Sequence, residues 1–145
     1  MMELIKKYKI FLVDDDLFCL NMYEQHIKNL GYEDITLFQN GTDCLNNLIE
    51  YPNIIFLDHK MDTLNGFEVL KKIKRFDPNI NVVMVSGQDD LQIALNALKY
   101  GAFDYIVKGD QENEKIESVI KRIEDLNKEI NRSKPSIFKK ILSFT

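Results

Sequence analysis

Four short apolar runs in this chain each end in a polar residue, and that pattern limits the folds open to it more than any other feature. Ile10-Phe11-Leu12-Val13 runs into Asp14, Asp15 and Asp16, and Ile54-Ile55-Phe56-Leu57 into Asp58. Val82-Val83-Met84-Val85 runs into Ser86, and Phe103-Asp104-Tyr105-Ile106-Val107 into Lys108. The first three are wholly apolar, which suits strands covered on both faces. If all four are parallel strands of one sheet, their carboxyl ends share one edge. Clustered carboxylates, one hydroxyl and one ammonium would then meet there, a combination suited to a divalent metal and a phosphoryl group.

Helix-like segments separate the runs. Leu17, Leu20, Tyr23, Ile27 and Leu30 have helical spacing, and Gly31 stops that helix. Ile35-Thr36-Leu37-Phe38 reads as a strand, Asn40-Gly41 as a turn, and Leu45, Leu48 and Ile49 as a short helix closed by Tyr51-Pro52. A third helix spans 66–76. A fourth is capped by Asp89 or Asp90 and ends at Gly101. The fifth spans about 112–132, with Ser133-Lys134-Pro135 as its stop. Five strands alternating with five helices predict an α/β fold, a doubly wound parallel sheet of order 2-1-3-4-5 with an extended last helix. In that order the crevice lies at the carboxyl ends of strands 1 and 3, where Asp14, Asp15 and Asp58 sit.

At 145 residues the chain is one domain with an appendage. No apolar run approaches the ~20 residues of a membrane span, and the N-terminus lacks the apolar core of a signal peptide, so the expectation is a cytoplasmic protein. Cys19 and Cys44 match no metal or redox spacing and read as small buried hydrophobes. The net charge of −4 is uneven. Residues 1–120 carry 12 basic and 20 acidic side chains, whereas 121–145 carry 7 and 3. The acidic body gives no support for nucleic-acid binding. The basic tail could meet an acidic partner, a nucleic acid or a membrane surface, or simply be a solvated helix end. Ile116, Val119, Ile123, Leu126 and Ile130 recur at alternating +3 and +4, which fits a locally packed helix, a homodimer seam or a linker.

Three carboxylates in one crevice repel one another, and a hard cation such as Mg2+ relieves that repulsion through oxygen ligands. An aspartate held there can attack phosphorus and form an aspartyl phosphate. A lysine, a hydroxyl and backbone amides would bind the remaining phosphoryl oxygens. Asp58, Lys108 and Ser86 fit those roles, while Asp16 fits a helix cap.

With these residues the chain resembles the receiver domains of two-component response regulators. The resemblance covers about residues 8–126. It is carried by FLVDDD at 11–16, IIFLDHKMDTLNGFEVL at 54–70, VVMVSGQ at 82–88 and GAFDYIVK at 101–108. It implies a flavodoxin-like receiver in 1–126, with 127–145 as helix end and basic tail or linker. It implies that Asp58 accepts a phosphoryl group from a histidine kinase or phosphotransfer protein. Mg2+ would be held by Asp15, Asp58 and the Lys60 carbonyl directly, and by Asp14 largely through water. Ser86 and Tyr105 would be the switch pair, and the face of helix 4, strand 5 and helix 5 would address a downstream target or output domain. The receiver itself would not contact nucleic acid. Asp62 and Gly109 stand where the family usually has proline. Lys60 and Gln88 occupy positions that commonly tune phosphate lifetime. The run from Ser86 to Lys108 is similar to nitrogen-regulatory receivers. The alternatives are a receiver-like interaction module that is not phosphorylated, and a phosphatase pairing Asp14 with Asp16. The latter would need a substrate-capping insertion that the sequence does not show.

Overall fold

The computed structural model describes residues 7–61, 64–109 and 111–142, with 133–142 as helix backbone alone. The strands are β1 (Ile10–Val13), β2 (Ile35–Phe38), β3 (Ile54–Asp58), β4 (Asn81–Ser86) and β5 (Asp104–Val107). The helices are α1 (Leu17–Asn29), α2 (Gly41–Asn46), α3 (Gly66–Phe76), α4 (Leu91–Lys99) and α5 (Glu112–Leu142). All strand pairs are parallel, in the order β2-β1-β3-β4-β5. The expected doubly wound α/β sheet is therefore present.

Strand alternation sends the apolar runs to two cores. Phe11, Val13, Ile55, Leu57, Val82 and Met84 face one side, where α2, α3 and α4 supply Cys44, Val69, Leu70, Ile73 and Ala97. Ile10, Leu12, Ile54, Phe56, Val83 and Val85 face the other, where α1 and α5 supply Leu20, Tyr23, Ile27, Ile116, Val119 and Ile123. Burial on both faces is why these runs are apolar throughout instead of alternating with polar residues.

Two boundaries differ from the sequence expectation. Asn40-Gly41 opens α2 instead of turning the chain, because the Asn40 carboxamide caps the helix by accepting from the Asp43 N–H at 2.8 Å. Leu48–Glu50 then forms a separate 3-10 turn, ended by Tyr51 at φ 55°. At the other end, α5 does not stop at Ser133-Lys134-Pro135 but continues to Leu142. A proline forfeits one helical N–H bond, a local cost, and no glycine follows to terminate the helix. The backbone from Pro135 to Leu142 is thus part of α5.

Caps fix the other helices where expected. Asp16 caps α1 by accepting from the Phe18 N–H at 2.9 Å. Asp90, of the two candidates, caps α4. Gly31 leaves α1 at φ +105°. Cys44 is fully buried as expected, while Cys19 is half-buried, with Sγ 3.5 Å from an Asp16 oxygen. Among the described residues, no helix is long and apolar enough to cross a membrane.

One glycine holds the loop beyond β3 against the sheet. The Gly66 N–H donates to the His59 carbonyl at 2.9 Å. A Cβ at Gly66 would lie 2.7 Å from the Asp58 carbonyl oxygen, 2.7 Å from His59 Cα and 2.8 Å from Met84 Cε. Backbone cannot yield as a side-chain tip can, so Gly66→Ala should destabilise the fold by about 2 kcal/mol. Urea unfolding should show a lower midpoint with an unchanged slope.

Candidate functional site

The register of the sheet builds the site. Val13 is level with Leu57, so Asp14 and Asp58 leave adjacent strands side by side. Ser86 is level with Val107, so Lys108 emerges beside it. The Lys108 N–H donates to the Ser86 carbonyl at 2.7 Å, and the His59 N–H to the Val85 carbonyl at 2.9 Å. These bonds carry the ladder one residue past the strands and fix where the polar side chains start.

Asp14 and Asp58 are 2% and 4% exposed, and Ser86 is 1% exposed. Burial this deep for two carboxylates demands compensation. The Lys108 ammonium provides part of it, lying 2.9 Å from Asp14 Oδ2 and 3.2 Å from Asp58 Oδ1. The other Asp14 oxygen accepts from the Asp16 N–H at 2.9 Å. Asp15 is exposed, yet one carboxylate oxygen from each of Asp14, Asp15 and Asp58 lies within 4.8 Å of the others. Behind the pair, Leu12, Leu20, Tyr23, Phe56 and Val85 leave about 10 Å3 of free space. That is at the lower limit for one water, so the inner wall offers little hydration.

The electrostatics follow from this geometry. Burial first, and the Asp14 charge second, push the Asp58 carboxyl up to about 6, against the opposing pull of Lys108. Burial alone would lower Lys108. Its hydrogen bond to Asp14 and the charges of Asp58 and Asp14 outweigh that and raise it. Three carboxylates against one ammonium leave a negative excess, and every donor atom is oxygen. The set therefore fits a hard divalent cation such as Mg2+.

The neighbouring residues divide into two groups. Ser86 Oγ accepts from the Gln88 N–H at 3.1 Å, and the Gln88 carbonyl accepts from the Tyr105 hydroxyl. One peptide segment thus touches both residues expected to switch. Lys60 follows in the loop after β3 and is exposed. His59 packs edge-on against Phe67, 4.7 Å between ring centroids. Burial, then Lys60, lowers its pKa below the ordinary histidine value. The Lys108–Gly109 bond is trans, with Gly109 at φ +79°. Gly87 has open space around it. Asp62 lies outside the described residues.

Sequence reading did not find two supports of the site. Gly66 stood out only as a helix start, because its close approach to Asp58 is a contact between elements. Glu112 at the start of α5 accepts from the Tyr23 hydroxyl at 2.7 Å, 89 residues away, with no local signal.

Comparison with known proteins agrees with this fold. The family model described as "Response regulator receiver domain" matches residues 10–121. The chain therefore belongs to the response regulator receiver domain family. The chemotaxis protein CheY of Thermotoga maritima is 31% identical over 114 residues, which cover 78% of this chain and 95% of that protein. The Bacillus subtilis transcriptional regulatory protein YesN is 30% identical over 125 residues, which cover 84% of this chain and 34% of YesN. The CheX-CheY-BeF3-Mg2+ complex of Borrelia burgdorferi contains a chain 25% identical, with a TM-score of 0.74. The alignment covers 80% of this chain and 88% of that one.

The raised Asp58 value has a measurable sign. A carboxyl shifted up in the folded state favours folding while protonated, and that benefit is lost as pH rises through about 6. In metal-free protein, Asp58→Asn should therefore gain about 2 kcal/mol of stability at about pH 7.5. The gain should shrink as pH falls through 6 towards 4. Thermal melts in chelator across that range would test this, and a gain independent of pH would contradict it.

Proposed function

We propose that this chain is a phosphorylation-controlled switch in which Asp58 accepts a phosphoryl group from a histidine kinase or phosphotransfer protein. The observation that carries the reading is the Lys108 ammonium bridging two nearly buried carboxylates, Asp14 and Asp58, beside the Ser86 hydroxyl.

In the transfer, an Asp58 oxygen attacks the phosphorus of a phosphohistidine. The P–N bond breaks, the imidazole leaves with its electron pair, and an aspartyl phosphate remains. Asp58 must be ionised to attack, so a value near 6 leaves it competent at neutral pH. Mg2+, when bound by Asp14, Asp15, Asp58 and the Lys60 carbonyl, would offset charge on the transferred oxygens. Lys108 would move its ammonium from Asp58 to the new phosphoryl oxygens, keeping its bond to Asp14. Ser86 would turn its hydroxyl towards the same group, giving up the Gln88 N–H. That bond links Ser86 to the Tyr105 hydroxyl through Gln88, so Tyr105 and the face of α4, β5 and α5 would repack in response.

Residues 1–126 are the receiver in this reading, and 127–145 form a helix end and tail. The chain spans nearly all of one relative and about a third of another, so the receiver serves either a separate target or an attached output domain. A cytoplasmic setting follows from a kinase donor.

Incubation with Mg2+ and a small phosphodonor, followed by intact mass spectrometry, should show one added phosphoryl group. Asp58→Asn should show none, and Lys108→Ala should react at least about tenfold more slowly. Failure of the wild type to react while binding Mg2+ would favour the interaction module that is not phosphorylated. Because exposed Lys60 lies two residues from the acceptor, Lys60→Ala should change the lifetime of the aspartyl phosphate. An unchanged decay would remove Lys60 from that role.

A further inference from the structure

The loop from β5 to α5 carries Lys108 and has weak local support among its described residues. Gly109 follows Lys108 at φ +79°, and a Cβ there would meet nothing within 4 Å. A glycine in open space leaves the chain free to move. Gln111 then takes φ +50°, a left-handed conformation that a residue with a side chain keeps only where its surroundings hold it. The near end of the loop is tied to the sheet by the Lys108 N–H on the Ser86 carbonyl. At the far end α5 opens at Glu112, and two ties run from there to α1. The Tyr23 hydroxyl donates to the Glu112 carboxylate at 2.7 Å, and His26 Nε2 donates to the Asn113 carbonyl at 3.0 Å.

Tyr23 reaches both the loop and the acids. It is 3% exposed, and it lines the same space of about 10 Å3 as Asp14 and Asp58. Its hydroxyl meets Glu112 only four residues beyond Lys108. Burial first, and the bond to Glu112 second, raise the pKa of that hydroxyl well above the ordinary tyrosine value, so it keeps its proton and donates. A packed ring makes its hydroxyl a fixed point, and a group bonded to it is fixed as well. The contacts close a circuit. The Lys108 ammonium holds Asp14 and Asp58, those acids share a wall with Tyr23, Tyr23 holds Glu112, and the loop joins Glu112 back to Lys108.

We propose that Tyr23 and Glu112 are positioning residues for Lys108. Their bond clamps the β5–α5 loop to α1 and so keeps the ammonium between Asp14 and Asp58. Releasing the clamp acts in two opposite directions. An ammonium held against two acids opposes a cation bound by the same oxygens, so its release favours Mg2+. The same release removes a fixed positive charge from the transferred phosphoryl oxygens, so acceptance by Asp58 slows. Only the second effect rests on the reading of Asp58 as the phosphoryl acceptor.

Tyr23→Phe keeps the ring and removes the hydroxyl. Glu112→Ala removes the acceptor, and Glu112→Gln retains an oxygen that can accept. In calorimetric titrations with Mg2+ and no phosphodonor, Tyr23→Phe and Glu112→Ala should bind the ion about threefold to tenfold more tightly, the scale of one hydrogen bond. With Mg2+ saturating, both should take up a phosphoryl group from a small phosphodonor more slowly by about the same factor. Glu112→Gln should stay near wild type in both measurements. Combining Tyr23→Phe with Glu112→Ala should do no more than either change alone, because one bond is lost once. An unchanged Mg2+ affinity, or one that falls together with the urea midpoint, would overturn the proposal and leave the pair a plain structural contact. Failure of Glu112→Gln to restore the wild-type values would do the same, as would an unchanged rate in a chain that does take up a phosphoryl group. If the wild type takes up none while the Mg2+ affinities shift as stated, the acceptor reading fails and the positioning role stands.

Discussion

The structure turns on one compensated burial, the ammonium of Lys108 held between Asp14 and Asp58. Neither carboxylate could sit at a few per cent exposure without a cation in reach, since an isolated buried charge is far too costly. The compensation is incomplete, and that incompleteness is chemically useful. Three acids facing one base leave a negative excess that a hard divalent cation would offset. Asp58 stays basic enough to be held near 6, yet ionised at neutral pH.

Everything else in the domain serves to keep those three side chains in place. The parallel register sets their spacing, and each strand end is extended by one backbone bond across to its neighbour. The two cores clamp the sheet from both faces, so the edge cannot tilt to separate the charges. Gly66 brings the β3–α3 loop against the backbone of Asp58 and His59, which no side chain at that position would permit. Charge compensation at the edge and apolar packing beneath it depend on each other. Without the packing the lysine has no fixed geometry, and without the lysine the buried acids oppose the packing.

Much of this was legible in the sequence because it is local. Apolar runs of four or five residues, glycine stops and capping aspartates each leave a mark within one element. The strand order followed from the alternation of elements together with the fold rules for parallel sheets. Errors came where a local signal had two meanings. Asn40-Gly41 is a good turn and also a good helix start, and the Asn40–Asp43 cap decided it. Ser133-Lys134-Pro135 reads as a stop, but a proline breaks only one bond of a helix that has no glycine to end it.

The sequence by itself determined the four apolar runs, the polar residue at the end of each and hence the chemical composition of one edge. It also carried the split between an acidic body and a basic tail. Only the tertiary structure decided which oxygens Lys108 reaches, how deeply Asp14 and Asp58 are buried, that Gln88 stands between Ser86 and Tyr105, and that Gly66 abuts the end of β3. The reason is distance along the chain. Composition and periodicity report on neighbours within a helical turn or a strand, whereas these contacts join residues tens of positions apart, and only packing sets their separation.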